Sequence, residues 1–465
     1  MKHILTAAAI ISVAILAITT TTAYAKEVEG IANKTIKIDK NPGIKVLLMN
    51  STTTITLTPQ TTRIVYDKND KQLDKFPLGS PITLTLKNGK FTKDDGKAFD
   101  ADMLKLVAAD PEGKTTDNPD GIIAIKQVPF GVGWWWESAE DRIYRGNLEL
   151  YPNDKNKIDV VLTLPLEEYL RGVVPSEIGG NSPVAALGAQ AVAARSAAVL
   201  ALTTKIYAGS HHHITSDVDS QAFSGLTKCT DASDTAVKET AGVILSFEGR
   251  PVSAYYASNC GGYTEDIRNV WDNRANDKAY WDAARFDGEP ANNPKIDLTT
   301  DAGVKQWFDN PPDAYCKPAN AKVDWAKSNW RWERQTTIDE ITKLVAKHKD
   351  IGTIKEIKAT KRGPSGRMIQ CQFIGEKGTF EIGPELKIRS VWEPPLKSSV
   401  FTAETTATLT DKDKAGKPGF ILRGAGWGHG VGMCQTGAVS MARLGKTYKQ
   451  ILNHYFPNCT LEKLY

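Results

Sequence analysis

The sequence predicts an α+β protein in which a β-rich framework carries an alanine-rich buried helix and an inserted lobe. Short runs rich in β-branched residues, separated by Gly, Asn, Asp and Pro, fill residues 26–165 and are typical of strands and turns. Residues 166–202 change to a helical spacing of apolar residues, and the helix predicted from Pro183 onward is apolar on nearly every face, which indicates burial. Residues 272–352 are rich in Trp, Asp and Asn and form the predicted inserted lobe.

The length and charge of the chain limit what it can be. A chain of 465 residues is too long for one ordinary core, and 41% apolar with 24% charged residues is typical of a globular protein. The net charge of +4 is too small to indicate a nucleic-acid partner, although a basic balance suits a polyanionic surface. We divide the sequence into a leader (1–25), an N-terminal β-rich region (26–142) and a second domain (143–465) that includes the lobe.

The leader has the pattern of a secretory signal peptide. Lys2 and His3 precede a short apolar run, and Ala-Tyr-Ala at 23–25 fits the small-x-small cleavage rule. The alternative is an uncleaved membrane anchor, although the run is short for a span. We therefore expect export to the periplasm, the cell envelope or the extracellular space, where an even count of six cysteines permits disulfide bonds.

One glutamate, Glu177, stands between a Pro-Ser pair and a Gly-Gly pair, with no lysine or arginine beside it. Beside a buried helix it would be poorly solvated, which favours the protonated form that a general acid needs. The alternative is a carboxylate at a helix start that interacts favourably with the helix dipole. On the alanine-rich helix, Gln190 and Arg195 are the polar exceptions, and a buried arginine needs an anionic or hydrogen-bonding partner.

Three further segments contain candidate functional residues. The run 424-GAGWGHGVGMCQTGA-438 matches neither the dinucleotide fingerprint nor the P-loop, so no nucleotide site is predicted. Its glycines would let the backbone lie beneath a ligand, with His429 either facing that ligand or structural. The hydroxyl-rich segment 255–271 suits sugar binding or an ordinary hairpin. The cluster His211–His213 would serve a metal-dependent hydrolase or form a solvated loop, since adjacent imidazoles diverge on a helix and alternate on a strand.

Taken together, these segments resemble the SpoIID/LytB family of bacterial cell-wall proteins. The motifs LEEYLRGVVPSE, AQAVAARS, SQAFSG, AYYASNCGGYTE, RGPSGR and GWGHGVGMCQTGA occur in the family's order between residues 143 and 465. The family's sporulation member is a peptidoglycan lytic transglycosylase, and other members are described as enhancers of a cell-wall amidase. The resemblance implies cleavage of the MurNAc–GlcNAc bond of denuded glycan strands in a central groove, which leaves 1,6-anhydroMurNAc ends. The alternative is a non-catalytic glycan-binding protein that enhances an N-acetylmuramoyl-L-alanine amidase.

The resemblance also implies roles for individual residues. Glu177 is the glutamate of the PSE motif and would be the general acid/base, while Arg195 would orient it or bind the glycan. One carboxylate is enough because the muramoyl C6 hydroxyl attacks intramolecularly, so no water has to be activated. The motif positions expected to contact the substrate are Gln190, Gln221, Tyr256, Ser258, Glu265, His429 and Gln435.

The sequence departs from the family pattern in three places. Gly188 stands where the family usually has a lysine. The segment HITSDVDSQ lacks the cysteines with which some relatives hold zinc, so we predict no metal and no cofactor. Cys260 and Cys434 each replace a serine of a family motif, and because both motifs would line one cleft we predict a Cys260–Cys434 disulfide.

Overall fold

A computed structural model describes residues 40–110, 121–133, 136–204 and 206–465 of the chain. The predicted signal peptide lies outside these described residues. The fold is mixed α+β with several sheets, as the sequence predicts. It divides into an N-terminal unit, Lys34–Ser253 joined by Leu461–Tyr465, and a C-terminal unit, Ala254–Thr460.

The N-terminal unit consists mainly of strands, with three helices. Its strands are β1 (Gly43–Thr52), β2 (Thr54–Pro59), β3 (Arg63–Tyr66), β4 (Gln72–Phe76), β5 (Ile82–Lys87), β6 (Lys90–Lys93), β7 (Ala98–Phe99), β8 (Leu104–Ala108), β9 (Ile122–Phe130), β10 (Ser138–Arg145), β11 (Asn147–Pro152), β12 (Ile158–Pro165), β13 (Ile214–Thr215), β14 (Val243–Phe247) and β15 (Arg250–Pro251). Its helices are α1 (Leu166–Ile178), α2 (Val184–Thr204) and α3 (Asp231–Glu239).

Two large sheets form the framework of this unit. One has the strand order β13-β1-β12-β11-β8-β3-β4 and the other β10-β9-β2-β5-β6-β7. The strands β2, β5 and β8 bury every second residue, which is the pattern of antiparallel strands with one face on a core. A third sheet joins β15 and β14 to a strand near the C-terminus, Thr460–Lys463.

The domain boundary predicted between residues 142 and 143 is corrected by the structure, because it falls inside β10. This strand pairs with β9 from Arg145↔Ile122 to Ser138↔Phe130. The strands that follow complete the sheet begun by the first strands, since β11 pairs with β8 and β12 pairs with β1. The strands before and after the expected boundary therefore share one framework.

The alanine-rich helix α2 is the buried helix that the sequence predicts. Residues on all its faces are buried, and its neighbours are α1, α3 and β14. Among the described residues it is the single helix whose length and composition would allow it to cross a membrane, but 78% of its most apolar stretch is buried inside the protein. Burial of this kind is what a core helix shows.

Arg195 is the buried charge of α2, and its partner is Glu167 at the start of α1. Nε and Nη2 of Arg195 each donate to one carboxylate oxygen of Glu167 at 2.8 Å, and Nη1 donates to the backbone oxygen of Val243 at 3.0 Å. The same carboxylate accepts from the Tyr465 hydroxyl at 2.6 Å and from the Gly242 N–H at 3.2 Å. The Glu167 side chain thus joins α1 to α2, to the segment before β14 and to the C-terminal tail.

The C-terminal unit has shorter elements. Its strands are β16 (Tyr256–Ala257), β17 (Arg331–Thr337), β18 (Ile354–Arg362), β19 (Met368–Gly375), β20 (Gly378–Ile382), β21 (Phe401–Thr406), β22 (Gly419–Ala425) and β23 (Met433–Cys434), and the C-terminal strand Thr460–Lys463 is β24. Its helices are α4 (Asp301–Asp309), α5 (Pro318–Ala321), α6 (Asp324–Trp330), α7 (Ile338–Ala346), α8 (Glu385–Arg389), α9 (Gln435–Arg443) and α10 (Tyr448–Tyr455), with 3₁₀ turns at Ile267–Asn269, Lys278–Tyr280 and Pro290–Asn292.

Two three-stranded sheets carry the larger core of this unit. Their orders are β17-β22-β21 and β18-β19-β20, and Trp392, Phe373 and Phe401 are central to the core between them and α7. The strand β17 lies inside the predicted inserted lobe, yet it pairs with β22 along its whole length. The end of the lobe is therefore part of the main sheet of the unit.

Removing one partner of a buried ion pair leaves the other uncompensated. We expect Arg195→Met to lower the free energy of unfolding by about 3–5 kcal/mol, and Arg195→Met with Glu167→Gln to recover part of that loss. Urea unfolding at pH 7 measures both. The control is Lys126→Met, which removes an exposed ion pair with Asp141 and should change little. Equal effects of Arg195→Met and Lys126→Met would contradict the role of the buried pair.

The same ion pair makes stability depend on pH. Burial raises the pKa of the Glu167 carboxyl, but the hydrogen bonds and charge of Arg195 outweigh it and hold the pKa below 4.5. A lowered folded-state pKa stabilises the fold above about pH 4.5, and this contribution is lost as pH falls through the folded-state value. The stability difference between wild type and Glu167→Gln should therefore be full at pH 7 and shrink below pH 4.5. Urea midpoints across this range check it, and a constant difference would argue against it.

Candidate functional site

Glu177 is the last residue but one of α1. The helix ends directly after it because Gly179 adopts φ 81°, a conformation that glycine reaches without strain. The side chain is half-buried. Glu177 thus lies at the C-terminal end of a helix, where the dipole disfavours a negative charge, and the alternative of a carboxylate at a helix start is excluded.

The loop 220-SQAFSG-225 packs against α1 and contacts this glutamate. The backbone N–H of Ala222 donates to Oε1 of Glu177 at 2.7 Å. Two residues along, the N–H of Ser224 donates to the backbone oxygen of Gly172 at 3.4 Å, and the Ser224 hydroxyl hydrogen-bonds to that of Ser176. The structure therefore brings together the PSE and SQAFSG motifs, which lie far apart in the sequence.

Gln221 lies behind this loop rather than on its surface. The side chain is 3% exposed, and its Nε2 donates to the Tyr169 hydroxyl at 3.2 Å and to the backbone oxygen of Ala194 at 3.4 Å. The expectation that Gln221 contacts substrate is corrected, because these bonds connect the loop to α1 and α2. Gln221 is a positioning residue for the loop that supplies the Ala222 N–H.

The two polar residues of α2 also face the interior. Arg195 has the anionic partner that its burial requires, which confirms that expectation. The partner is Glu167 rather than Glu177, so the role of orienting the acid/base is corrected to one of joining two helices. Gln190 is fully buried and offers no surface to a glycan, which corrects its assignment as a substrate contact.

In the C-terminal unit, the segments of Tyr256 and Gln435 are adjacent. Tyr256 in β16 pairs with Met433 in β23, and the strands run parallel. The backbone oxygen of Ser258 accepts from the N–H of Thr436 at 3.0 Å and from its hydroxyl at 2.6 Å. Tyr256 and Ser258 are half-buried and keep part of their surface, whereas Gln435 is 6% exposed.

His429 is held inside its glycine run. Its Nδ1 accepts from the backbone N–H of Val431 at 3.0 Å, and the ring lies 4.8 Å from that of Trp271. Burial, followed by the charges of Arg367 and Arg274, lowers the pKa of His429 far below its usual value. The imidazole is thus neutral at physiological pH, which fits the structural alternative for this histidine.

Glu265 is a buried acid that stabilises a neighbouring turn. It is 2% exposed, and its carboxylate accepts from the N–H of Asp266 at 2.8 Å, Nδ2 of Asn269 at 2.9 Å and the N–H of Ser365 at 3.2 Å. Burial raises the pKa of Glu265 despite these hydrogen bonds. Its assignment as a substrate contact is corrected, because the side chain supports the RGPSGR turn from within.

Cys260 and Cys434 are neighbours, as the sequence suggested, but both are free thiols. The backbone N–H of Cys260 donates to Sγ of Cys434 at 3.2 Å, and no Cys260–Cys434 disulfide is present in the described residues. A third thiol, that of Cys316, lies 3.6 Å from Sγ of Cys260. Sequence reasoning missed Cys316, because a lone cysteine in a tryptophan-rich segment has no local pattern.

The three histidines at 211–213 contact different partners in the N-terminal unit. His211 stacks on Tyr151 with ring centroids 3.7 Å apart, His212 lies 4.8 Å from Tyr207, and Nδ1 of His213 accepts from the Lys45 N–H at 3.0 Å. Burial lowers the pKa of His212 to about 4. These separate contacts favour the alternative of a loop over a convergent metal site, although only His211 is exposed, while His212 and His213 are half-buried.

Two segments of the chain match known protein families. Residues 154–247, which contain Glu177 and the SQAFSG loop, match the SpoIID family, described as stage II sporulation protein. Residues 267–432 match a domain of unknown function, DUF8618. The chain therefore carries a SpoIID family domain, as the resemblance of its motifs indicates.

The chain is also similar to individual proteins over about two thirds of its length. The chain is 27% identical over 318 residues to an uncharacterised protein of Brachyspira hyodysenteriae (67% of this chain, 70% of that protein). It is 25% identical over 309 residues to the amidase enhancer of Bacillus subtilis (strain 168), which covers 63% of this chain but 40% of that protein. It is 27% identical over 319 residues to stage II sporulation protein D of Bacillus amyloliquefaciens (64% of this chain, 74% of that protein).

Gly172 allows the loop to approach α1, and a side chain there would separate them. An ideal Cβ at Gly172 would lie 2.5 Å from the Phe223 ring and 2.7 Å from the backbone oxygen of Gly225. Overpacking of this kind costs about 1–3 kcal/mol, against a gain of about 0.5–1 kcal/mol for alanine in a helix. Gly172→Ala should therefore lower the free energy of unfolding, measured by urea titration. Gly43→Ala, which meets nothing within 4 Å, is the control and should not destabilise. No loss in Gly172→Ala would show that the loop does not need this close approach.

Proposed function

We propose that the chain is an exported lytic transglycosylase of peptidoglycan, with Glu177 as its single acid/base. The observation that carries the proposal is the half-buried carboxyl at the end of α1, held by the Ala222 N–H at 2.7 Å within the residues that match the SpoIID family. The relatives named stage II sporulation protein D support the family resemblance from which the activity is proposed. The leader predicted from residues 1–25 would bring the chain there.

The position of Glu177 suits a group that first gives a proton and then takes one. The C-terminal end of α1 disfavours the negative charge, and the N–H of Ala222 favours it. Both influences act on the one carboxyl that has to give a proton and then take one in the proposed reaction.

The reaction needs one carboxyl and no added water. Glu177 would donate its proton to the oxygen that joins C1 of MurNAc to C4 of GlcNAc, and the C1–O bond would break. The C6 hydroxyl of the same MurNAc would attack C1, and its proton would return to Glu177. The products are a 1,6-anhydroMurNAc end and a GlcNAc with a free C4 hydroxyl, so atoms and charge balance. A hydrolase would need a second carboxyl to activate water.

In the C-terminal unit, two of the residues expected to contact substrate, Tyr256 and Ser258, keep part of their surface exposed. We propose that this surface binds glycan, because aromatic rings and hydroxyl groups suit sugar faces and sugar hydroxyls. The partner that follows is the peptidoglycan glycan strand.

A second candidate is a non-catalytic protein that binds glycan and enhances a cell-wall amidase. One relative carries the name amidase enhancer. Most of the matching motif residues build the fold, since Gln190, Arg195, Gln221 and Glu265 are all buried. The presence of these four residues therefore supports the fold but not catalysis. In addition, Gly188 stands where the family usually has a lysine, so one basic group is missing.

The two candidates differ in what they do to denuded glycan strands. If the chain is a transglycosylase, it should form 1,6-anhydro ends, which mass spectrometry detects. Glu177→Gln should lower the rate at which these ends form by about 10²–10⁴-fold. Glu168→Gln is the matched control on the same helix, because Glu168 pairs with Arg171 and is not assigned to the site. It should keep the wild-type rate.

Other results decide against the first candidate. Glycan binding without cleavage, together with stimulation of an added amidase by both wild type and Glu177→Gln, supports the enhancer. Reducing ends without the anhydro ring would indicate a hydrolase and would contradict the single-carboxyl mechanism.

A further inference from the structure

Three cysteines and one aspartate, none of them assigned to glycan chemistry, converge in the interior of the C-terminal unit. They are Cys260, Cys316, Cys434 and Asp287. All four are buried, and Cys316 and Asp287 have no exposed surface at all. One ligand atom from each lies within 4.8 Å of the ligand atoms of the other three. Within the described residues this is the single group of its kind that could hold a metal ion.

Four separate segments deliver these side chains. Cys260 follows the short strand β16, and Cys434 ends β23 and caps the first turn of α9. Cys316 lies in the turn before α5, where its N–H donates to Oδ2 of Asp287 at 3.2 Å. Asp287 lies in a loop, and its own N–H donates to the backbone oxygen of Gly262 at 2.9 Å. Each ligand is therefore anchored through its own backbone.

Two ligand–ligand distances at Cys260 are close to those of a tetrahedral metal site, and the sulfur–sulfur distance is too long for a disulfide. Sγ of Cys260 lies 3.6 Å from Sγ of Cys316 and 3.3 Å from Oδ2 of Asp287. Zinc–sulfur bonds of about 2.3 Å and zinc–oxygen bonds of about 2.0–2.2 Å would place sulfurs about 3.8 Å apart and sulfur and oxygen about 3.5 Å apart in a tetrahedron. A disulfide would need about 2.05 Å.

The surroundings orient the four groups as the outer shell of a metal site does. The Tyr455 hydroxyl donates to Oδ1 of Asp287 at 2.6 Å, which leaves Oδ2 on the side of the thiols. The backbone N–H groups of Cys260 and Gly437 donate to Sγ of Cys434 at 3.2 and 3.4 Å. Backbone donors aimed at sulfur favour a thiolate.

We propose that Cys260, Cys316, Cys434 and Asp287 bind one zinc ion in a closed, four-coordinate structural site. Thiolates select a soft or borderline metal over Mg²⁺ or Ca²⁺, and a tetrahedral arrangement of thiolates with a single carboxylate suits zinc. All four positions are filled by protein atoms, so the ion has no open position for a substrate, and its role is to join the four segments. The expectation of no metal rested on the segment HITSDVDSQ (213–221), whereas these ligands come from elsewhere in the chain.

A disulfide between two of the three cysteines is the competing outcome. Any such pair would leave the third thiol buried beside the Asp287 carboxylate, with neither a metal nor a second thiol to bind. It would also require two sulfur atoms to move to bonding distance in a region where all four segments are anchored. Zinc would instead use all four groups, whose ligand atoms already lie within 4.8 Å of one another.

Metal content of the wild-type chain tests the proposal without relying on any variant. The full-length protein, purified without chelator and with zinc in the medium, should contain about one zinc per chain by elemental mass spectrometry. Exchange with Co²⁺ should give thiolate-to-cobalt charge-transfer absorption and the intense d–d bands of a tetrahedral site. A chain that binds no zinc when zinc is supplied would overturn the proposal, and so would peptide mapping that finds a disulfide within the cluster.

Variants then locate the ion. Cys316→Ser and Asp287→Asn should weaken zinc binding at least 10-fold or abolish it, and Asp287→Asn should also change the cobalt spectrum. Cys371→Ser is the matched control, because Cys371 is an equally buried cysteine of β19 outside the cluster. Full zinc content in folded Cys316→Ser, or a loss in Cys371→Ser equal to that in Cys316→Ser, would place the ion elsewhere and refute the assignment.

Discussion

The buried ion pair between Arg195 and Glu167 is the constraint on which the N-terminal unit depends. A helix as apolar as α2 would pack in several rotations about its axis, because its small side chains differ little from one face to the next. The guanidinium removes that freedom, since it is fully buried and must meet a carboxylate with matching geometry. The same carboxylate receives the Tyr465 hydroxyl, so the C-terminal tail is ordered by the contact that orients α2.

The ion pair at the start of α1 also fixes the position of the other end of this helix. Glu167 and Glu177 are separated by ten residues of helix, which at about 1.5 Å per residue is about 15 Å. A rigid helix fixed at one end places the carboxyl at its other end, and the SQAFSG loop then holds that carboxyl through the Ala222 N–H. The supporting parts are Gly172, which lets the loop approach, and Gln221, which ties the loop to both helices. Most residues of the PSE and SQAFSG motifs thus serve to position the Glu177 side chain. This explains why so few of them keep exposed surface that a substrate could contact.

The sequence predicted some of this and could not predict the rest, for physical reasons. Strand alternation and the apolar run of α2 depend on local spacing, so the α+β class and the buried helix were predictable. The need of Arg195 for an anion follows from burial alone, but the choice of Glu167 over Glu177 depends on how two helices cross. The boundary expected at 142/143 missed the return of β11 and β12 to the first sheet, because strand pairing between distant segments has no local signal. The adjacency of the PSE and SQAFSG motifs was not predicted, since their order along the chain says nothing about contact, and nothing local placed Asp287 and Cys316 beside Cys260.

The cysteine cluster lies in the part of the C-terminal unit that has the least regular secondary structure. The larger core of this unit, around Trp392, lies with the two three-stranded sheets. The region from residue 254 to residue 330 consists instead of a two-residue strand, 3₁₀ turns, loops and short helices. Such segments share few backbone hydrogen bonds with one another, and a metal ion bound by several of them would fix their positions. The cluster joins β16, the loop of Asp287, the turn of Cys316 and the start of α9. Because β16 carries Tyr256 and α9 begins at Gln435, the ion that we propose would order the backbone that also carries the glycan-binding surface proposed for this unit.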